Sequence, residues 1–197
     1  MQIKFIDREI EYTGKELHSL FAYQNFDLQG DSTVAFIGPC YVGLTDLVDQ
    51  ADVKEKAFIK SEKMVHFISE KFVLDLNEAI YRQRLYISII KEVLEELTPQ
   101  PRKGSAAPLI KGSKIKRFGD DLFIDDRKLS VSIATLSPVS SLIHIGVNVS
   151  SENTPVPAIG LADLGLTAAD FAVAVLEKIE SEEEGIINAR SKVRGVN

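Results

Sequence analysis

DDLFIDDRKLSVSIATL (120–136), followed by IHIGVNVS (143–150), is the stretch that decides the fold. Apolar and polar residues alternate through both segments, the pattern of half-buried strands. Leu122 and Ile124 have to share a face with Leu129, Val131 and Ile133. Side chains alternate across a strand, so this condition sets the register. It puts Ile124 opposite Arg127 across a two-residue Asp125-Asp126 turn. The other face then carries Asp121, Phe123, Lys128, Ser130 and Ser132. In the next strand Ile143, Ile145, Val147 and Val149 alternate with His144, Gly146 and Asn148. An antiparallel return through Ser137–Ser141 sets Lys128 near Asn148, Ser130 near Gly146 and Ser132 near His144. One face is therefore expected to collect Asp121, Lys128, Ser130, Gly146 and Asn148. The simpler alternative is a face that meets water, common in antiparallel sheets. Gly146 and Asn148 are harder to fit to it, because a glycine inside a strand often marks the close approach of a ligand or another backbone.

Working outward, further strands are expected at 2–6, at 33–37 ending on Gly38-Pro39, and at 64–72. The pattern predicts a helix from Lys15 to Phe26, with Leu17, Leu20 and Phe21 at helical spacing. Residues 38–57 read as a loop with one helical turn around Leu44–Val48. Residues 75–97 form the strongest predicted helix, with an apolar stripe of Ala79, Ile80, Leu85, Ile89, Ile90, Val93, Leu94 and Leu97. Pro99 and Pro101 stop it. Residues 101–114 read as a Gly/Pro/Lys loop and 150–158 as a polar loop. Thr167 is the expected N-cap, with Asp170 behind it, of a helix from Ala168 to about Glu184. The acidic run Glu180–Glu184 reads as its solvated end. The fold class is α+β (mixed α/β): a largely antiparallel sheet flanked by two or three helices, one domain over residues 1–197.

Bulk properties narrow the function. The chain has 197 residues, 45% of them hydrophobic, enough for one core. A net charge of −6 is a poor basis for general nucleic-acid binding, which needs basic surface. A nucleotide could still occupy a local site. Cys40 is the single cysteine, so an intramolecular disulfide and a multi-cysteine zinc site are both excluded. Asp7, Arg8, Glu9 and Glu11 interrupt any signal-peptide core, and no apolar run approaches a membrane span. The cytoplasm is the expected location. No His pair stands at ligand spacing, so no metal site is indicated.

DDLFIDDRKLSVSIATL followed by IHIGVNVS resembles the catalytic core of biotin protein ligases, whose pattern is N-D-L-Y/F-x-x-x-x-K-L-x-G and then G-x-N. The resemblance extends weakly over most of the chain. GDSTVAFIGP (30–39) and MVHFISEKF (64–72) are similar to that fold's first core strand and the one after it. DLNEAIYRQRLYISIIKEVLEEL (75–97) is similar to its long central helix, and residues 159–179 to the loop and helix after the core. More specifically, the chain resembles an uncharacterised, mainly archaeal family of unknown function that shares the fold of biotin/lipoate ligases and class II aminoacyl-tRNA synthetases. The ligases activate an acid with ATP to an acyl-adenylate and pass it to a protein lysine. The resemblance implies ATP and Mg2+ as cofactors, a small carboxylic acid or nucleotide as ligand, an acceptor protein, and self-association through sheet edges. Membrane and nucleic acid are not expected partners. Lys128 matches the essential lysine of the K-L motif, which would stabilise charge at the activated carboxyl and the α-phosphate. Asp121 matches the motif aspartate, Asn148 the asparagine of G-x-N, and Asp120 stands where the ligases have asparagine.

Departures bear on activity. The ligases carry a Gly/Arg-rich loop after the first core strand, whereas this chain has Gly38-Pro39-Cys40-Tyr41-Val42-Gly43 without arginine. Val131 replaces the glycine after the K-L motif. Cys40, in the loop expected to border the pocket, is a candidate acyl-thioester nucleophile, but the ordinary reading is a small buried hydrophobe. Gly38 and Ser130 complete the candidate binding set, with Gly146. Lys111, Lys114 and Arg117 could meet phosphates; solvated loop charge is the alternative. His66 and His144 are candidates for acid/base work, against an ordinary role as hydrogen-bonded structural histidines. Asp46, Asp49 and Asp52 could support a metal, against turn and helix-end roles. Three functions compete: an adenylate-forming ligase, a Cys40-dependent acyltransferase, and a non-catalytic ligand-binding or assembly protein on the same scaffold.

Overall fold

The computed structural model describes residues 1–98 and 114–196. Five strands form the main sheet: β1 (Gln2–Glu9), β2 (Ser32–Val42), β3 (Ile59–Lys71), β8 (Ser141–Asn148) and β7 (Ser130–Leu136), in that spatial order. β1 runs parallel to β2, and every other pair is antiparallel. A second, three-stranded sheet holds β4 (Ile115–Phe118), β5 (Asp121–Ile124) and β6 (Arg127–Lys128). The long helices α3 (Leu76–Leu97) and α4 (Ala168–Lys192) join the short α1 (Phe21–Phe26) and α2 (Gln50–Glu55). The class is α+β, with antiparallel pairing dominant.

Both faces of the main sheet are covered. Along β3, Val65 and Phe67 point to a core built with α3 and α4, including Tyr86, Ile90, Phe171 and Val175. Met64 and Ile68 point the other way, to a second core with Tyr12, Phe21, Phe36, Cys40 and Val42. Alternation that looks like inside and outside is therefore a division between two interiors. His144, on the face expected to meet water as the simpler alternative, is only 3% exposed.

Several element boundaries differ from the expected ones. β2 does not stop at Gly38-Pro39 but continues to Val42 with an irregularity between Gly38 and Cys40. The segment after β1 runs alongside: the Ile10 amide donates to the Ile37 carbonyl and the Tyr12 amide to the Pro39 carbonyl. Proline has no amide to donate, but its carbonyl still serves the neighbouring chain. Gly38 is required there, because a Cβ would lie 1.9 Å from the Ile10 carbonyl oxygen. The expected helix 15–26 shrinks to 21–26: Gly14 and Leu20 both take positive φ, which breaks helical continuation. The expected turn at 44–48 is followed by α2, capped by Asp49 accepting the Ala51 amide. β3 starts at Ile59, before the expected 64. α3 is capped by Asp75, whose carboxylate accepts the Glu78 amide. The expected loop over 101–114, Lys111 included, and the expected stop at Pro99 and Pro101 lie outside the described residues, Lys114 excepted.

α4 extends to Lys192, and its acidic run is not simply a solvated end. Glu183 is 1% exposed and bonds Lys71 Nζ at 2.8 Å, the Tyr86 hydroxyl at 2.9 Å, and Arg82. Burial alone would raise its pKa, but the hydrogen bond from Lys71 and the charge of Arg82 hold it below the usual carboxylate value. Three residues from strand and helix thus fasten α4 across the sheet and α3.

Candidate functional site

The β5–β6 hairpin has the register expected from its apolar face. Ile124 pairs with Arg127 and Phe123 with Lys128 across the Asp125-Asp126 turn, where Asp125 takes a positive φ. Asp121 lies diagonally from Lys128 on the same face, and its carboxylate meets Lys128 Nζ at 2.7 Å.

The following register differs from the expected one. Leu129 enters the helical core with Leu122 and Ile124. Ser130 pairs with Val147, which faces the same core, so two consecutive residues turn to the helical side. That slip of one residue reverses every position beyond it. Val131 now pairs with Gly146 and Ile133 with His144, whereas Ser132 pairs with Ile145. The expected row therefore splits. Ser130 is fully buried, its hydroxyl accepting the Leu122 amide at 2.8 Å, and does not join Gly146. Ser132 donates to the Asp120 carbonyl and accepts from Gln83 of α3.

Lys128, Asp121 and Asn148 do come together. Lys128 is held as a strand between β5 and the segment at 157–159: its amide donates to Pro157 and its carbonyl accepts from Ile159. The Asn148 side-chain amide donates to the same carbonyl at 3.3 Å. Lys128 and Asn148 line a cleft of about 220 Å³ with Lys60, Met64, Val131 and Asp52 of α2. Gly146 forms part of its underlay: a Cβ there would meet Met64 Cε at 2.8 Å and Val131 Cγ2 at 3.2 Å. Burial pushes Asp121 above the ordinary carboxylate pKa; Lys128 pulls it back, and the charges of Asp120 and Asp52 add to the rise.

The other candidates lie apart. Asp120 does not line the cleft and is engaged by Gln83 of α3 at 3.0 Å and Arg84 at 3.2 Å. Arg117 donates to the Gly119 carbonyl on the exposed β4 turn, in a different surface hollow. Gly38 is covered by Ile10. Cys40 sits in β2 rather than in a pocket-bordering loop; it is 2% exposed, and burial pushes its thiol pKa up to about 12, so it is not a thiolate at neutral pH. Lys114 is exposed. Among the described residues no group of three His, Cys, Asp or Glu is placed to hold a metal, Asp46, Asp49 and Asp52 included.

Sequence reasoning passed over α2. Its Asp52 shares the cleft with Lys128; burial and the Asp49 charge push the Asp52 carboxyl above its ordinary pKa, and Lys128 pulls it back. The signal was the Asp49 cap before a short amphipathic segment, too brief to register as a helix. It also passed over Lys60 as a cleft residue, because β3 was expected to start at 64, and over Met64, which was read only as the start of that strand.

Residues 1–194 match a family model described as a domain of unknown function (DUF366). An uncharacterized protein of Methanocaldococcus jannaschii is 41% identical over 176 residues, covering 86% of this chain and 73% of that protein. A solved structure of a protein of unknown function from Pyrococcus horikoshi is 37% identical, superposes with a TM-score of 0.87, and covers 100% of both chains. The biotin protein ligase of Aquifex aeolicus, solved in complex with biotin and ATP, superposes with a TM-score of 0.57 at 14% identity, over 91% of this chain and 69% of that one. At such identity the likeness is one of fold: the catalytic domain of biotin protein ligase.

Proposed function

We propose, from the premise that this chain belongs to the DUF366 family of unknown function, that its Lys128 cleft binds a small carboxylic acid with ATP and forms or holds the acyl-adenylate. The observation that carries the reading is the meeting of Lys128 Nζ and Asp121 at 2.7 Å beside a cleft that Asn148 also lines. The scaffold is that of an enzyme solved with biotin and ATP.

The chemistry follows from the residues. Lys128 is 30% exposed, so its ammonium is open to an incoming ligand while Asp121 keeps it aimed. Attack of a carboxylate on an α-phosphate concentrates negative charge, and a positioned cation there lowers the barrier. Lys60 offers a second positive charge on the same cleft. Asp121 and Asp52 fit a phosphate that arrives with magnesium, since bare carboxylates would repel it. Asn148, fixed by its bond to the Lys128 carbonyl, is placed to orient the ligand. The burial of Cys40 weighs against a thioester route.

The test is acid-dependent pyrophosphate release from Mg-ATP. Release that Lys128→Ala abolishes supports the reading, with a loss of about a hundredfold or more. No release with any of a broad panel of small acids contradicts it. A binding or assembly role without turnover is the second reading, favoured by the absence of arginine between Gly38 and Gly43.

A further inference from the structure

A smaller cavity, about 60 Å³, adjoins the cleft and shares Asp52, Ile59 and Val131 with it. His144 lines it. Behind His144 three groups stand in series. The Gly38 carbonyl oxygen lies 3.3 Å from His66 Nε2, and His66 Nδ1 lies 3.1 Å from His144 Nε2. A carbonyl only accepts, so His66 Nε2 carries a proton. Burial lowers the pKa of His66 to about 4 and that of His144 well below its ordinary value, so both rings are neutral at pH 7. A neutral ring protonated at Nε2 has a bare Nδ1. His66 Nδ1 therefore accepts, and His144 Nε2 donates to it. By the same rule His144 Nδ1 is a bare lone pair.

Among the described residues that nitrogen has no hydrogen-bond partner, and no fully buried side-chain nitrogen or oxygen among them is left unpaired. Nδ1 must then open on the cavity that His144 lines. Tyr12 stacks on the ring face, centroids 3.6 Å apart and 9° from parallel, and leaves the ring edge clear. The cavity walls carry Asp46, Asp49 and Asp52 and, among the described residues, no lysine or arginine. Its polar requirement is thus a donor, and its charge requirement a cation. The adjoining cleft shares Asp52 but adds two cations, Lys60 and Lys128.

We propose that the acid taken by this protein is an ω-amino acid: its ammonium group enters the small cavity, donating to His144 Nδ1 and facing Asp46 and Asp49, while its carboxylate lies at Lys128. The placing of the carboxylate rests on the adenylate reading of Lys128; the placing of the ammonium does not. His144 and Asn148 are four residues apart on β8, roughly 13 Å along the strand. An α-amino acid, whose two charges share one carbon, is too short for both ends.

The experiment is calorimetric titration of the full chain, without nucleotide, with four acids of matched length: aminohexanoate, N-acetylaminohexanoate, hydroxyhexanoate and hexanoate. Aminohexanoate is expected to bind at least about tenfold more tightly than hexanoate, the increment of a charge-assisted hydrogen bond. His144→Phe should erase that preference. Asp49→Asn should shrink it too, and keeps an oxygen for capping α2, so it tests the cavity in a folded chain. Equal affinity for the acetylated or hydroxylated acid overturns the ammonium, since a neutral donor would suffice. Equal affinity for hexanoate, or no heat from any acid at millimolar concentration, overturns the proposal altogether. Preference for aminohexanoate without ATP-dependent pyrophosphate release sinks the ligase reading and leaves this one standing.

Discussion

Gly146 and Glu183 show how single residues set the site and the fold. At Gly146 a methyl group would lie 2.8 Å from Met64 Cε, the far end of a flexible side chain that lines the cleft. Met64 can yield only by moving. Gly146→Ala is expected to cost about 1 kcal/mol of stability but to weaken ligand binding at least severalfold, seen by pairing urea melts with calorimetry. Equal losses in both would make Gly146 a packing residue alone. Glu183 is a buried carboxylate with three partners. Removing its charge leaves Lys71 without its carboxylate and Arg82 with Glu78 alone, so Glu183→Gln should lose about 3 kcal/mol at pH 7. Its folded pKa lies below the ordinary carboxylate value. The stability it supplies is therefore present above the unfolded pKa and lost as pH falls through the folded one. The variant should show a flatter decline of stability on acidification below about pH 4.5; an unchanged slope would contradict the account. Gly146 was legible as a strand glycine that marks a close approach, though not its contact with Met64; the role of Glu183 was not legible. Glu183 sits in a run of acids, and only the three-dimensional meeting with Lys71 and Arg82 sets it apart.

At the scale of elements, the hairpin 121–128 was legible because its apolar face has one solution: Leu122 and Ile124 must be buried, and Asp125-Asp126 accepts the turn. The step from Leu129 to Ser130 was not. Alternation reads the same on both sides of a one-residue slip, and here both faces are buried, so the usual contrast of inside and outside is missing. Leu129 resolves it by filling the helical core, which leaves Ser130 to serve the Leu122 amide from the same side. β2 was misjudged for a related reason. Gly38-Pro39 ordinarily ends a strand, but here glycine lets Ile10 cross and Pro39 offers its carbonyl to Tyr12. Gly38→Ala should therefore destabilise the chain by about 3 kcal/mol, and the loss should appear in chemical melts. Wild-type stability in this variant would mean that β1 and its extension do not lie as described. The same carbonyl of Gly38 fixes the His66 proton, so this strand crossing also reaches the small cavity.

For the whole molecule, the sheet separates two interiors with different tasks. α3 and α4 hold one face through an apolar core and the Glu183 network. The other face carries Tyr12, the paired histidines, α2 and the cleft. Lys128 and Asn148 hold backbone and charge where the two sheets meet. Beside them, Asp46, Asp49 and Asp52 gather on the small cavity. Composition cannot show this, since a net charge of −6 says nothing about where the acids gather. The most direct test of the central claim is calorimetry of Mg-ATP binding in three chains: wild type, Lys128→Ala and Arg117→Ala. Lys128 lines the cleft, whereas Arg117 lies in a separate hollow on the β4 turn. Binding lost with Lys128→Ala and kept with Arg117→Ala is the expected result; binding kept with Lys128→Ala and lost with Arg117→Ala would contradict the assignment of the Lys128 cleft.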